Sequence, residues 1–447
     1  MTKVKNTMNS QPKKLGQLQV AKEFLREFGK ENLVMASDGN FWIWEGGRWT
    51  GVNCHSFQNA IVEFSNGYDQ ISANWLKSVY QLIRVLASRP EVRFNMDKRD
   101  IVNLENGELR FDSARESWTL FPHDLNRFCT IQLPVKYEAD AVAPRFLTFL
   151  SECFDGDGDK ADKIKALLEM IGYSLVNHAK HERFVMLVGN GANGKSVLLK
   201  LIQTLCGLQN VSAVQMCSLG RTFQRETLNR SLVNIVTEIN EDDVIDYAAL
   251  KSIVSGEIST VEVKNQTPYV GEPSSTLWLA TNHLPKFDDK SDGIVRRALV
   301  IPFNNTVPIE LRDPDLLDKL KCELPGILNL ALDAYASAIL NGFTNPESSS
   351  EVFRKIIRKA DPVKAFVDEM VFTAPDEAVP SRVAFQAYQQ WVERNGVTTS
   401  ISMHAYIRRL NKLGFESYRT SDRRFVKGMM LPFFDTENKV NATEDCD

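Results

Sequence analysis

From Phe184 to Val188 the chain is wholly apolar; Gly189-Asn-Gly-Ala-Asn-Gly-Lys-Ser196 follows, and then Val-Leu-Leu-Lys-Leu-Ile-Gln-Thr-Leu-Cys206. No other stretch restricts the fold as tightly. A strand-length apolar run without alternation is buried on both faces, which calls for a parallel sheet covered by helices. Leu198, Leu201, Ile202 and Leu205 then recur at helical spacing. Between strand and helix sits G-x-x-x-x-G-K-S, the pattern of a loop that wraps a polyphosphate. Gly189, Gly191 and Gly194 supply backbone conformations other residues avoid, with Asn190, Ala192 and Asn193 between them. The helix start adds its positive dipole end. Lys195 is expected on the β- and γ-phosphates and Ser196 on Mg²⁺. The reading is a nucleoside triphosphate site, with ATP and Mg²⁺ as cofactors.

Three later apolar runs supply further candidates. Leu232–Val236 ends just before Glu238 and Glu241; a carboxylate on a strand adjoining the phosphate loop can hold the Mg²⁺ shell and polarise water. Glu238 stands first, with Glu241 sharing the role or lying exposed. Thr276–Thr281 is capped by Asn282, an amide able to orient the attacking water. Arg296 and Arg297 precede the run from Ala298 to Ile301, where they read either as a solvated pair or as a guanidinium offered to a neighbouring subunit's γ-phosphate. The segment from Thr260 to Val270 reads as a hairpin with Lys264 near its tip.

A chain of 447 residues exceeds one core, so several domains are expected. Gln17–Phe28 is an amphipathic helix, and Phe41–Trp49 a small aromatic hairpin whose tryptophans read as core, with base stacking the alternative. Helical periodicity covers Ser56–Ala87, and a second hairpin turns at Asn106-Gly107. Helices are expected at 145–153 and 162–176. Asp155-Gly-Asp-Gly-Asp159 between them lacks the glycine and glutamate of a calcium loop and reads as a solvated turn. Residues 308–343 are largely helical, and 344–351 form a Pro/Ser-rich joint. Seven scattered cysteines without a C-x-x-C pair fit reduced thiols in a cytoplasm, and no apolar run reaches membrane-spanning length.

After Asp361 three helices (363–370, 382–394, 403–413) precede two strands, the order of a winged helix. Arg408, Arg409, Lys412, Arg423, Arg424 and Lys427 concentrate positive charge on the last helix and wing, which suits DNA phosphates; a solvated basic face is the plainer alternative. A small-molecule kinase would leave this segment unexplained.

This run of motifs resembles the superfamily 3 helicases, in the branch of phage and plasmid replication proteins and the poxviral primase-helicase. The residues that carry the likeness are Gly189–Ser196, Leu232–Glu241, Leu250–Gly256 with the hairpin after it, Leu277–Pro285, Asp292–Arg297 and Ile301-Pro-Phe303. The resemblance implies an α/β fold, a compact AAA+-like P-loop ATPase with a parallel sheet. An α+β domain (1–140) and a helical collar-like segment (141–180) would precede the ATPase (181–305). A helical connector (306–360), the winged helix (361–433) and an acidic tail (434–447) would come after it. It implies a homo-oligomeric ring, usually a hexamer, with ATP sites between subunits, acting on single-stranded and forked DNA in phage, plasmid or mobile-element replication. By matching positions, Lys195 and Ser196 bind phosphate and Mg²⁺, Glu238 is the catalytic acid, Asn282 the sensor, Arg296 or Arg297 the finger, and Lys264 the channel grip. The chain departs from the family at Asn240, where a further acid often stands, and at Glu262 and Gln266, often basic. No primer synthesis is expected, so a separate primase or initiator is the implied partner. An ATPase switch that remodels DNA without processive unwinding is the alternative.

Overall fold

The computed structural model describes residues 16–65, 71–239, 244–262, 268–283, 286–287, 293, 296–397 and 401–431. The chain opens with α1 (Gln17–Phe28), β1 (Leu33–Met35), β2 (Phe41–Glu45), β3 (Arg48–Val52), α2 (Cys54–Phe64) and α3 (Ala73–Leu86). The continuous periodicity from Ser56 to Ala87 becomes two helices, because Ser72 accepts from the Trp75 amide and starts a new one. One face of each helix meets the sheet β1-β2-β3 through Val20, Phe24, Phe41, Phe57, Ile61, Val79 and Ile83. Trp42 and Trp49 are core residues with Val34 and Val92, and the Trp49 indole donates to the Leu125 carbonyl at 2.9 Å.

The Asn-Gly turn joins β4 (Ile101–Leu104) to β5 (Gly107–Asp112), and β6 (Ser117–Phe121) adds a third antiparallel strand. Val102, Leu104 and Leu109 share one core with residues as distant as Tyr335, so this sheet packs onto elements later in the chain. Next come α4 (Pro144–Cys153), α5 (Lys160–Tyr173), β7 (Phe184–Val188), α6 (Lys195–Cys206), β8 (Val211–Ser212), α7 (Thr222–Asn229) and β9 (Val233–Val236). After these lie β10 (Val244–Ile245), α8 (Tyr247–Val254), β11 (Ser259–Val261), β12 (Tyr269–Gly271), β13 (Thr276–Thr281), β14 (Lys286–Phe287) and β15 (Ala298–Pro302). Five strands form a parallel sheet in the order β15-β7-β13-β9-β8. Its apolar runs are buried on both faces, as continuous hydrophobicity requires. The one polar residue inside β9, Asn234, is fully buried; its amide exchanges hydrogen bonds with both the Val214 amide (2.7 Å) and carbonyl (3.0 Å). The strand expected to adjoin the loop strand does not do so. β13 lies between β9 and β7: after β7 the chain crosses through α6 to the edge strand β8 and returns through α7 to β9.

The helical layer combines segments from both sides of the sheet sequence. α9 (Leu316–Lys321) and α10 (Leu324–Asn341) come after β15, and α10 packs along α5. The two backbones approach closely: a Cβ on Gly172 would meet the Ala331 carbonyl oxygen at 2.2 Å. Glu323 accepts the first amides of α4, those of Arg145 (3.1 Å) and Phe146 (2.9 Å). Asp100 takes hydrogen bonds from His178 and the Tyr335 hydroxyl, both at 2.7 Å, and so ties β4, the end of α5 and α10 together. Burial alone would raise that carboxyl, but these two bonds outweigh it and hold it at about 2.

The Asp-Gly turn is not simply solvated. Lys163 is fully buried beneath it, with its ammonium 2.7 Å from Asp157, 3.6 Å from Asp159 and 3.2 Å from the Pro302 carbonyl. The expected Ser-rich joint is likewise structured, as the first turn of α11 (Glu347–Ala360). There the buried Ser349 hydroxyl receives the Val300 amide at 3.0 Å and donates to the Val300 carbonyl. It thereby closes the otherwise open edge of β15. The last unit comprises α12 (Pro362–Met370), β16 (Phe372–Pro380), α13 (Ser381–Arg394), α14 (Met403–Lys412), β17 (Ser417–Arg419) and β18 (Arg424–Met430), with sheet order β16-β18-β17. β16 is absent from the sequence reading: two prolines and two acids break its apolar pattern, and its register shifts between Ala374 and Ala378. Among the described residues no helix is long and apolar enough to cross a membrane.

Replacing Gly172 by alanine should force α5 and α10 apart and cost about 1–3 kcal/mol. Gly158→Ala, where nothing lies within 4 Å of the added carbon, should be near neutral. Denaturant midpoints of the two variants check this, and equal midpoints would contradict the close approach.

Candidate functional site

The C-terminal ends of the central strands are level. The pairs Val188↔Thr281 and Pro302↔Val188 end β7, β13 and β15 together, and Val236↔Leu279 brings Glu238 out beside them. In parallel α/β sheets this edge is where ligands bind.

The glycine-rich loop is held by its neighbours' backbone. The Gly189 amide donates to the Thr281 carbonyl (3.1 Å), the Phe303 amide to the Val188 carbonyl (2.7 Å), and the Val307 amide to the Ala192 carbonyl (2.9 Å). A Cβ at Gly189 would meet the Phe303 oxygen at 2.3 Å, so glycine is required there by contact. Gly194 has φ +92° and Ala192 φ +58°, the turn that starts α6. That helix begins with no side chain capping its first amides, which leaves them available to an anion.

Asn193, buried, organises the loop from inside. Its amide nitrogen donates to the Asn190 carbonyl (2.9 Å) and the Phe303 carbonyl (3.1 Å), and its oxygen receives the Lys195 ammonium at 2.9 Å. Lys195 also donates to the Gly189 carbonyl at 2.6 Å. Burial lowers its pKa from the ordinary lysine value, so the ammonium is poised for an anionic partner. Around it Asn190, Gly191, Ala192 and Ser196 are exposed.

Glu238 and Asn282 are exposed at the same sheet edge. The two arginines part company. Arg296 is exposed, whereas Arg297 is 3% exposed and spent inside its own chain. Its guanidinium lies 2.6 Å from Glu182, 3.0 Å from the Gly293 carbonyl and 3.3 Å from the Ser255 hydroxyl. β11 and β12 pair antiparallel, as the hairpin reading expects. Its tip with Lys264 and Gln266, and the positions of Asn240 and Glu241, lie outside the described residues.

In the C-terminal unit, Arg408 and Lys412 lie exposed on α14 with His404, while Tyr406, Ile407 and Leu410 face the core. Arg409 turns away: its Nε is 2.8 Å from buried Asp361, which also caps α12 through the Lys364 amide. Arg423, Arg424 and Lys427 are exposed on the β17–β18 hairpin. Residues that sequence alone did not single out are Lys163, Glu182 and the strap after β15. For Lys163 the available signal was its position four residues beyond Asp159, on the inward face of α5.

Three family profiles match successive parts of the chain. A D5 N-terminal-like profile matches residues 21–155 and a poxvirus D5 protein-like profile matches 358–440. Together these matches support a likeness to D5-like primase-helicases. Between those two matches, residues 187–297 fit a family of unknown function, DUF5906. Putative helicase 022R of Frog virus 3 (isolate Goorha) is 22% identical over 295 residues, 59% of this chain and 29% of that protein. Putative helicase L207/L206 of Acanthamoeba polyphaga mimivirus is 21% identical over 367 residues, 75% of this chain and 38% of that protein. The chain thus spans about a third of the length of the curated relatives it matches. An A-form apo structure of the NrS-1 C-terminal region superposes with a TM-score of 0.52 at 13% identity, covering 93% of this chain and 100% of that one. Another apo structure of the same region gives 0.52 at 12% identity over 94% of this chain. At such identity the likeness is one of fold.

Asn193→Ala should destabilise the chain by about 1–3 kcal/mol, because the buried Phe303 carbonyl, the Asn190 carbonyl and the Lys195 ammonium lose a partner. Asn190→Ala, whose side chain is exposed, should leave the denaturant midpoint nearly unchanged. Equal effects would remove Asn193 as the internal brace.

Proposed function

We propose that this chain is the ATPase and DNA-translocating part of a ring-forming helicase acting in viral, phage or mobile-element replication. The observation that carries the reading is the shared sheet edge. There an uncapped helix start, a desolvated Lys195, the exposed carboxylate of Glu238 and the amide of Asn282 emerge together.

The residues fit a magnesium–triphosphate. Amides from Gly189 to Ser196 and the dipole of α6 bind phosphate oxygens. Lys195 exchanges the Gly189 carbonyl and Asn193 oxygen for them. Among the described residues no three His, Cys, Asp or Glu side chains cluster around a metal position. Ser196 and Glu238 would hold an ion that keeps phosphate and water ligands, as Mg²⁺ does. Bound ATP–Mg²⁺ supplies the cleavable anhydride and its neutralising charge. Glu238, with Glu241 as its possible companion, polarises the attacking water, and Asn282 orients it.

Charge stabilisation from a neighbouring copy falls to Arg296, since Arg297 is committed to Glu182. This makes the subunit incomplete alone and favours a closed ring, taken as a hexamer. The β11–β12 hairpin, with Lys264 at its tip, would grip single-stranded DNA in the channel. The C-terminal unit, read as a winged helix, would hold the duplex through Arg408, Lys412, Arg423, Arg424 and Lys427.

Lys195→Ala should reduce ATP hydrolysis to background with the fold intact. Mixing it one-to-one with Arg296→Ala subunits should restore about a quarter of wild-type turnover. In random rings that fraction of seams pairs an intact lysine with an intact arginine from the neighbour. Absence of restoration in verified mixed rings would sink the shared-site reading. Strand displacement on forked DNA separates the helicase from an ATPase switch, which would hydrolyse ATP without displacing.

A further inference from the structure

The C-terminal sheet presents an aromatic pair that phosphate contacts do not use. Across β17 and β18, Tyr418 lies opposite Phe425, and Arg419 opposite Arg424. The two rings are 5.6 Å apart with planes 17° from parallel. Tyr418 is 43% exposed, and β17 is the edge of its sheet. Neither ring belongs to the core of this unit, which gathers Phe366, Tyr406, Val426 and Met429 instead. A cross-strand aromatic pair does stabilise a sheet, by about 0.2–1 kcal/mol. That role does not account for a tyrosine left open in a field of cations.

Charge identifies the occupant. Arg419, Arg423, Arg424 and Lys427 are exposed on this hairpin, against Glu416 and Asp422. An apolar protein surface seated on the rings would bury the charges of Arg419, Arg424 and Lys427 away from water. A nucleic-acid strand satisfies both features, with a base on the ring face and phosphates on the arginines. Inside a duplex each base is already stacked on both sides, so only an unpaired or terminal base offers a free face.

We propose that Tyr418, backed by Phe425, is a stacking site for the first unpaired base at a duplex–single-strand junction. α14, with Arg408 and Lys412, would hold the duplex side. The proposal rests on the C-terminal unit's being the DNA-binding part and adds the structure it selects.

The test uses the full chain with a blunt duplex and with a fork of the same duplex length carrying 2-aminopurine at the first unpaired position. Anisotropy gives affinity, and quenching of the probe reports stacking. Tyr418→Ala should weaken fork binding roughly tenfold and abolish the quench, while changing blunt-duplex affinity less than about twofold. Tyr418→Trp should retain both fork affinity and quench, which separates stacking from a folding defect. Equal loss on both DNAs, or an unchanged quench in Tyr418→Ala, overturns the stacking site. If Arg408→Ala with Lys412→Ala weakens both DNAs while Tyr418→Ala alters nothing, the stacking site falls and the DNA-binding reading stands. If none of these substitutions changes binding, the DNA-binding reading of this unit falls with it.

Discussion

A glycine-rich loop has almost no side chains with which to hold its own shape, so its geometry must be imposed from outside. Here the imposing surface is the chain just after β15. The Phe303 amide and carbonyl flank the loop, and Asn193 spans the gap between that carbonyl and Asn190. The preorganised backbone is what makes a loop of amides an anion site rather than a mobile turn. It also explains why Lys195 can be buried: its ammonium is held by the loop's own carbonyl and amide oxygens until a stronger acceptor arrives.

β15 is anchored at both ends, each time by a buried cationic side chain. Buried Lys163 reaches the Pro302 carbonyl while neutralised by Asp157 and Asp159. At the other end of β15, the Arg297 carbonyl accepts the Phe184 amide at 2.9 Å, and its guanidinium pins Glu182, Ser255 and Gly293. Such buried charges add little net stability over apolar replacements, but removing one partner leaves the other desolvated and unpaired. Their contribution is to register: they help hold the strand ends at one height.

Most of the sheet was legible because its strands are continuous apolar runs between turn signals, and the loop because its motif dictates residue types. Asn282 and Glu238 could be located at strand ends without coordinates. What sequence could not supply was lateral order: nothing local says that β13 rather than β9 lies beside β7, since that depends on how the crossovers pack. Nor could it separate Arg296 from Arg297, identical residues whose fates differ by which one meets Glu182. The Asp-Gly turn misled for a related reason. Its composition is that of a solvated loop, and only the lysine buried beneath it reveals a latch. β16 was hidden by prolines and acids tolerable on an edge, and Arg409 looked like its neighbour Arg408 although the helix turns it toward Asp361.

β15 also links the loop to the C-terminal unit. Its outer edge is closed by Ser349 of α11. α11 packs on α12, where Arg358 meets Glu369 at 2.8 Å. Glu369 in turn receives the Trp391 indole of α13 at 3.1 Å, and Asp361 at the start of α12 takes Arg409 of α14. These steps are specific hydrogen bonds or ion pairs between elements packed in space. The basic face of α14 is therefore oriented by the same strand that shapes the phosphate loop. A change in the loop that shifted Phe303 would have a packed route toward the helix bearing Arg408 and Lys412. A unit joined only by a free linker would have none. On the proposed reading, in which nucleotide chemistry and DNA grip must stay in register, this contiguity would place the mechanical demand on Ser349, Glu369 and Asp361.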